Sequence, residues 1–330
     1  MPTSYTPAKR RAPQNDGRKL SAILTVTKPS VVPVVIGPSL WLTVWATVVV
    51  CAWNWSPKGQ WLKALPSSQL LITLLGVVMG LLLVFRTNTA YDRFYEGRKV
   101  WATAHSNIRS LARLIWVGVK AADPVQESHK RGAMNLLIAF AAATKHHMRS
   151  EDGYFYDDLG PYLSHIPAFV LDRTSSDQQG ASSSPINQDH IGSNTAALPI
   201  EIIFRLQKYI KECKDTSQID ANIQLVLSNN ANTLADCIST FERIRTTPIP
   251  IAYELHLKQT LIVYLLSLPF QIVTVLQWYT IPATLVAAFT MFGIEAIGGE
   301  IENPFGYDAN DLPQDEFCDT IRDEVQSMMG

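Results

Sequence analysis

The sequence predicts an all-α integral membrane protein, with four transmembrane helices per subunit and a large helical region outside the bilayer. Three observations lead there. Residues 31–55, 69–85, 259–279 and 281–294 contain no Asp, Glu, Lys or Arg, and a hydrocarbon core takes roughly 20 apolar residues of helix to cross. The second of these stretches passes, with no turn residue, into the mixed charges of Arg86, Asp92, Arg93, Glu96, Arg98 and Lys99. It therefore reads as a helix that leaves the membrane and continues into water. No segment shows sustained strand-type alternation. The mean hydropathy of +0.06 averages oily spans with a polar middle and does not indicate a soluble chain.

Each element follows from its local pattern. Residues 1–30 form a basic N-terminal segment, where Lys9, Arg10, Arg11, Arg18, Lys19 and Lys28 are opposed only by Asp16. The apolar run behind it is too long for a signal-peptide core and reads as a retained helix. Excess Lys and Arg beside a first span stay in the cytoplasm. An Arg-rich, acid-poor start also resembles an organelle transit peptide. The first pair of spans occupies residues 31–86, with Trp41, Trp45, Trp53 and Trp55 suited to interfacial positions. The second pair occupies residues 255–300. Pro269 is expected to kink the third span, and Pro282 suits the first turn of the fourth. An even number of crossings returns the C-terminal tail, residues 301–330, to the N-terminal side.

Residues 87–254 form a helical cytosolic region. Apolar residues recur at helical spacing over 91–119, 127–149, 200–214 and 219–245, and Thr247-Pro248-Ile249-Pro250 ends the last of these. Residues 172–194 are rich in Ser, Gln, Asp and Gly. Such a segment buries too little apolar surface to offset its chain entropy, which predicts a disordered loop.

Several function classes are excluded early. A net charge of -1 argues against nucleic acid as a partner. Cys51, Cys213, Cys237 and Cys318 are far apart and form no C-x-x-C pair, which argues against a disulfide framework or zinc site. The chain has no G-x-S-x-G, H-E-x-x-H, P-loop or paired-glycine turn, so nothing points to an enzyme. His146 and His147 are adjacent, point about 100° apart on a helix, and read as part of a solvated face. A coupled transporter would place ionisable groups within its spans. None of the four has a charge near its middle, which favours passive permeation.

Val77, Leu81 and Phe85 are spaced by four and form one helical stripe. Gly76 and Gly80 lie one residue earlier, where small residues let helices approach. The stripe could face lipid, a neighbouring helix, or a pore that apolar rings constrict and gate by dewetting.

Four blocks of residues stand in a recognisable order. The first is Phe85-Arg86-Thr87-Asn88 with Tyr91, Arg93, Phe94, Glu96, Arg98 and Trp101; the second is Glu242-Arg243-Ile244 with Thr247-Pro248-Ile249-Pro250 and Tyr253. The third is Leu268-Pro269-Phe270; the fourth is Glu300-Ile301-Glu302-Asn303-Pro304-Phe305-Gly306 followed by Asn310-Asp311-Leu312-Pro313. Together they resemble the bestrophin family, nearer to its bacterial, fungal and plant branches than to the animal one.

The resemblance implies a homopentameric ion channel, mostly anion-passing, with one axial pore. It places the hydrophobic neck on Val77, Leu81 and Phe85, and a second, cytosolic constriction around Ile219, Asn222 and Ile223. Asn88, Asp92, Arg93 and Glu96 would line or support the inner vestibule, although Asp92, Arg93, Glu96 and Lys99 also have the spacing of plain intrahelical pairs. Animal members bind calcium through consecutive carboxylates after the fourth span. Here Asp308, Asn310 and Asp311 are the candidate calcium ligands, a sparse set for a cation that takes six to eight oxygens. They are otherwise capping and turn residues, and no other cofactor is expected.

The expectation is a passive channel for chloride or similar monovalent anions, embedded in membrane lipid. The plasma membrane with both termini cytosolic is the expected location, and an organelle inner membrane the alternative. The competing readings are a cation-permeable channel of the same fold, a coupled anion transporter, and a membrane-anchored scaffold.

Overall fold

The structure, a computed structural model, describes residues 30–55, 69–151, 156–163 and 198–330. The expected loop at 172–194 and most of the basic N-terminal segment lie outside the described residues. Those described are helical, with no strand among them. In chain order they form α1 (Val32–Trp55), α2 (Gln69–Gly118), α3 (Pro124–Met148), α4 (Gly160–Leu163), α5 (Leu198–Asp215), α6 (Ala221–Thr246), α7 (Ile251–Leu276), a 3-10 turn (Gln277–Tyr279), α8 (Thr280–Glu302) and α9 (Gln314–Met329). Among the described residues three stretches are long and apolar enough to cross a membrane: Val32–Trp55, Thr73–Gly118 and Ile251–Glu302, the last holding both α7 and α8.

Two expectations about helix ends change. α7 begins directly after Pro250, well ahead of Gln259, because Glu254 and Lys258 pair at 2.7 Å across one turn and extend the helix into polar surroundings. α8 runs past Ile294 to Glu302, whose carboxylate accepts from the Ile249 amide at 3.0 Å.

The first compact unit contains the residues up to Leu83 together with Gln259–Ile297. Its core joins Leu42 of α1, Met79 of α2, Leu261, Leu265 and Leu268 of α7, and Ala288 of α8. Gly76 allows close packing: a Cβ there would sit 3.0 Å from the Tyr264 hydroxyl oxygen. Among the described residues Gly80 has nothing within 4 Å of the same position, so there the first of the two glycines, and not the second, serves a helix contact. Pro269 interrupts the hydrogen-bond ladder of α7. Near it, the Trp45 indole donates to the Leu266 carbonyl at 3.2 Å and its ring meets Phe270 edge-on.

The second unit contains Val84–Lys258 and Gly298–Gly330. α3 is its central helix, buried at every position from Leu136 to His146, and α4, α5, α6 and α9 pack around it. Asp220 caps α6, its carboxylate accepting from the Ile223 amide at 2.7 Å. Trp101, Phe241, Phe305 and Phe317 form an aromatic knot with neighbouring centroids 5.2–5.8 Å apart. Gly97 admits Phe305 to it, since a Cβ at Gly97 would meet that ring at 3.1 Å. Within the expected C-terminal tail, residues 314–329 form the amphipathic α9, which buries Cys318, Ile321 and Val325.

Candidate functional site

α2 is 50 residues long with no internal proline, so one unbroken helix about 75 Å long carries every neck and vestibule candidate. Val77, Leu81 and Phe85 are 66%, 54% and 55% exposed, while Met79 and Leu83 are buried. The stripe therefore lies on a face that the described residues of one chain leave uncovered.

Immediately behind Phe85 the helix is locked in rotation. Arg86 is 1% exposed, lies 3.5 Å from Glu254 and 3.9 Å from Glu302, and packs over Gly298 and Gly299. A buried cation demands such partners. A Cβ at either glycine would stand 3.4–3.5 Å from the guanidinium, so their bareness lets α8 accept it.

One turn or two further on, the residues divide by function. Arg93 donates to the carbonyls of Glu302 (3.1 Å), Ile244 (2.7 Å) and Thr247, serving three acceptors at helix ends that have no intrahelical partner. Glu96 pairs with Arg243 of α6. These contacts replace the intrahelical pairs that spacing allowed. Asn88 and Asp92 are exposed, and Asp92 has no hydrogen bond or ion pair among the described residues.

The three residues at the expected second constriction are not equivalent. Ile219 is buried in the core of the second unit, and Ile223 is half-buried, 3.5 Å from where a Gly118 Cβ would be. Asn222 is exposed, as are the nearby Leu225 and Val226.

Asp308, Asn310 and Asp311 form a turn. The Asp311 carboxylate accepts from the Asp308 amide at 2.8 Å, and Asn310 donates to Glu300 at 2.8 Å. Burial pushes the Asp311 carboxyl upward, against the hydrogen bond from the Asp308 backbone. Among the described residues no group of three or more His, Cys, Asp or Glu side chains is arranged to hold a metal ion. Asp308, Asn310 and Asp311 supply fewer side-chain oxygens than the six to eight that calcium takes.

A polar cluster that sequence reasoning missed lies at the end of α3. His146 is buried, not solvated: its ring stacks on Tyr156 at 3.8 Å, with Nδ1 facing Glu151 and Nε2 2.9 Å from Asp158. Lys145 is also buried and reaches Asp158 at 2.5 Å and Asp315 at 2.8 Å. Burial pulls its ammonium down, but the two carboxylates outweigh burial and leave it raised. The hydrogen bond with His146, joined by Lys145, holds Asp158 well below the usual carboxylate range. His147 faces Glu242 at 2.9 Å.

The model for the bacterial and fungal bestrophin proteins matches residues 11–327. A voltage-dependent anion channel-forming protein of Synechocystis is 36% identical over 317 residues, spanning 96% of this chain and 94% of that protein. One of the same description from Nostoc is 42% identical over 257 residues, 76% of this chain and 75% of its own length. A crystal structure of a bacterial bestrophin homologue from Klebsiella pneumoniae superposes with a TM-score of 0.72 at 22% identity, covering 90% of this chain and 99% of that one. A match over almost the whole length, carried on an all-helical fold with membrane-length apolar helices, makes this chain a member of the bacterial and fungal bestrophin family.

Proposed function

We propose that the protein is a passive anion channel, assembled as a homopentamer around one axial pore whose neck is formed by Val77, Leu81 and Phe85. The observation that carries this reading is the exposed apolar stripe on an unbroken helix that passes directly into polar, water-facing sequence. The relatives named as voltage-dependent anion channel-forming proteins support the sign of the permeant ion. Rings of apolar side chains hold a pore dry until it widens slightly, and they bind ions too weakly to delay exit. Arg86 and Arg93 act through packing: they hold α2 so that its stripe keeps one direction along the neck.

In this reading the protein lies in the plasma membrane with both termini cytosolic, contacts lipid through the outer faces of α1, α7 and α8, and passes chloride or similar monovalent anions. The test is reconstitution of purified protein in planar bilayers, with particle imaging to count copies. Linear, uncoupled chloride current through a five-membered ring is the expected result. Saturable, proton-coupled uptake would replace the channel by a transporter, and absence of flux would leave a scaffold.

A further inference from the structure

The face of α2 that carries the neck stripe continues beyond Phe85 through Asn88, Asp92, Tyr95 and Lys99, all exposed. Seven residues are almost two full turns, so Asp92 lies within about 20° of Phe85 and about 10 Å along the axis. Lys99 follows after the same interval. The neighbouring charges are committed elsewhere: Arg93 to three carbonyls and Glu96 to Arg243. Asp92 is not, and no hydrogen bond or ion pair holds it among the described residues. Tyr95 stacks on Tyr91, and the Lys99 ammonium lies 5.5 Å from the Tyr95 ring centroid, one turn back towards the neck.

We infer that Asp92 is a charge-selectivity residue of the pore, an inference that rests on the neck reading above. Repeated around an axis, Asp92 forms an acidic ring just inside the neck, and Lys99 forms a basic ring one step beyond it. The ring lies about one Debye length from the neck at 0.1 M salt, close enough to enrich cations and deplete anions there. Asp92 thus restrains the anion preference, and Lys99 opposes it. The two together set a selectivity that an uncharged neck cannot set by itself.

Reversal potentials of the reconstituted full-length protein in asymmetric KCl test this. Asp92→Asn is expected to raise the chloride-to-potassium permeability ratio about threefold to tenfold at low salt, with the effect fading near 1 M, where the Debye length is about 3 Å. Lys99→Gln is expected to lower the ratio. Asp92→Glu keeps the wild-type value, as does Glu316→Gln, an exposed charge carried on α9 and not on α2. Asp92→Ser removes the same charge should the Asn variant fail to assemble. Unchanged ratios in Asp92→Asn (or Asp92→Ser) and Lys99→Gln, with altered current in Phe85→Ala, overturn the role of Asp92 and leave the neck standing. Unchanged behaviour in all three positions overturns the neck reading itself.

Discussion

The Arg93 guanidinium donates through Nε to the main-chain carbonyl of Glu302 at 3.1 Å, joining α2 to the last residue of α8. The same group reaches the carbonyls of Ile244 and Thr247 at the end of α6. Arg93→Ala removes three charge-assisted bonds and leaves the carbonyls without a partner. A loss of about 2–4 kcal/mol is expected, read as a lower unfolding midpoint in detergent. Arg93→Lys recovers little, because an ammonium lacks the planar fork that serves three directions.

Truncating the stripe separates folding from conduction. Leu81 and Phe85 are exposed in the single chain, so Leu81→Ala and Phe85→Ala should change subunit stability by no more than about 0.5 kcal/mol. The double variant should raise single-channel current or open time about threefold or more as the neck wets more readily. Wild-type currents in that variant would remove the neck from these positions.

Gly76 has a contact that can be tested by rescue. Gly76→Val drives a side chain into the Tyr264 hydroxyl, 3.0 Å from the Cβ position, and should cost about 1–3 kcal/mol. Adding Tyr264→Phe removes the clashing oxygen and should recover part of the loss in thermal unfolding. Failure to recover would mean that the cost arises elsewhere.

The cluster around Lys145 makes stability depend on pH at both extremes. Asp158 is depressed in the folded state, so its contribution is fully present above the unfolded value near about 3.9 and is lost as pH falls towards the lower folded value. Lys145 is raised, so its contribution is present below its ordinary value near about 10.4 and is lost as pH rises through the raised one. Asp158→Asn should lower the unfolding midpoint at neutral pH and flatten the acid limb. An acid limb as steep as wild type would show that other carboxylates govern it.

Three of the four cysteines should be inert in the folded protein. Burial pushes Cys237 up to about 11 and Cys318 up to about 12, and Cys213 also rises. Little thiolate forms at neutral pH, so maleimide should leave these three unmodified until the chain is unfolded, as mass spectrometry would show. Rapid native modification of Cys318 would mean that α9 detaches from its seat.

Helix content was legible because it is written locally. Charge-free length marks the spans, and the unbroken run from Gln69 through the charges after Phe85 marks α2 as one helix. α9 carries a similar signal in Phe317, Ile321 and Val325 at spacing four, behind Asp315 and Glu316 in the first turn, yet its acidic character masks it. His146 was harder to read. It looks like one of two surface histidines, but the turn at Ser150, with φ 58°, brings Glu151 back beside it, and Asp158 closes from the other side.

The helices, their apolar spans, the register that aligns Val77, Leu81 and Phe85, and the motifs of the family are all written in the order of residues. Periodicity and hydropathy are properties of neighbouring residues, and they survive without any tertiary contact. What each charge does became visible once the helices were packed. Arg93 turns to carbonyls that lie far along the chain and carry no side-chain signature, and Glu96 turns to Arg243. Asp92 stays exposed between them, with no hydrogen bond or ion pair among the described residues. Partners distant in sequence cost chain entropy to bring together, and the packed core supplies it; spacing along one helix cannot register that exchange.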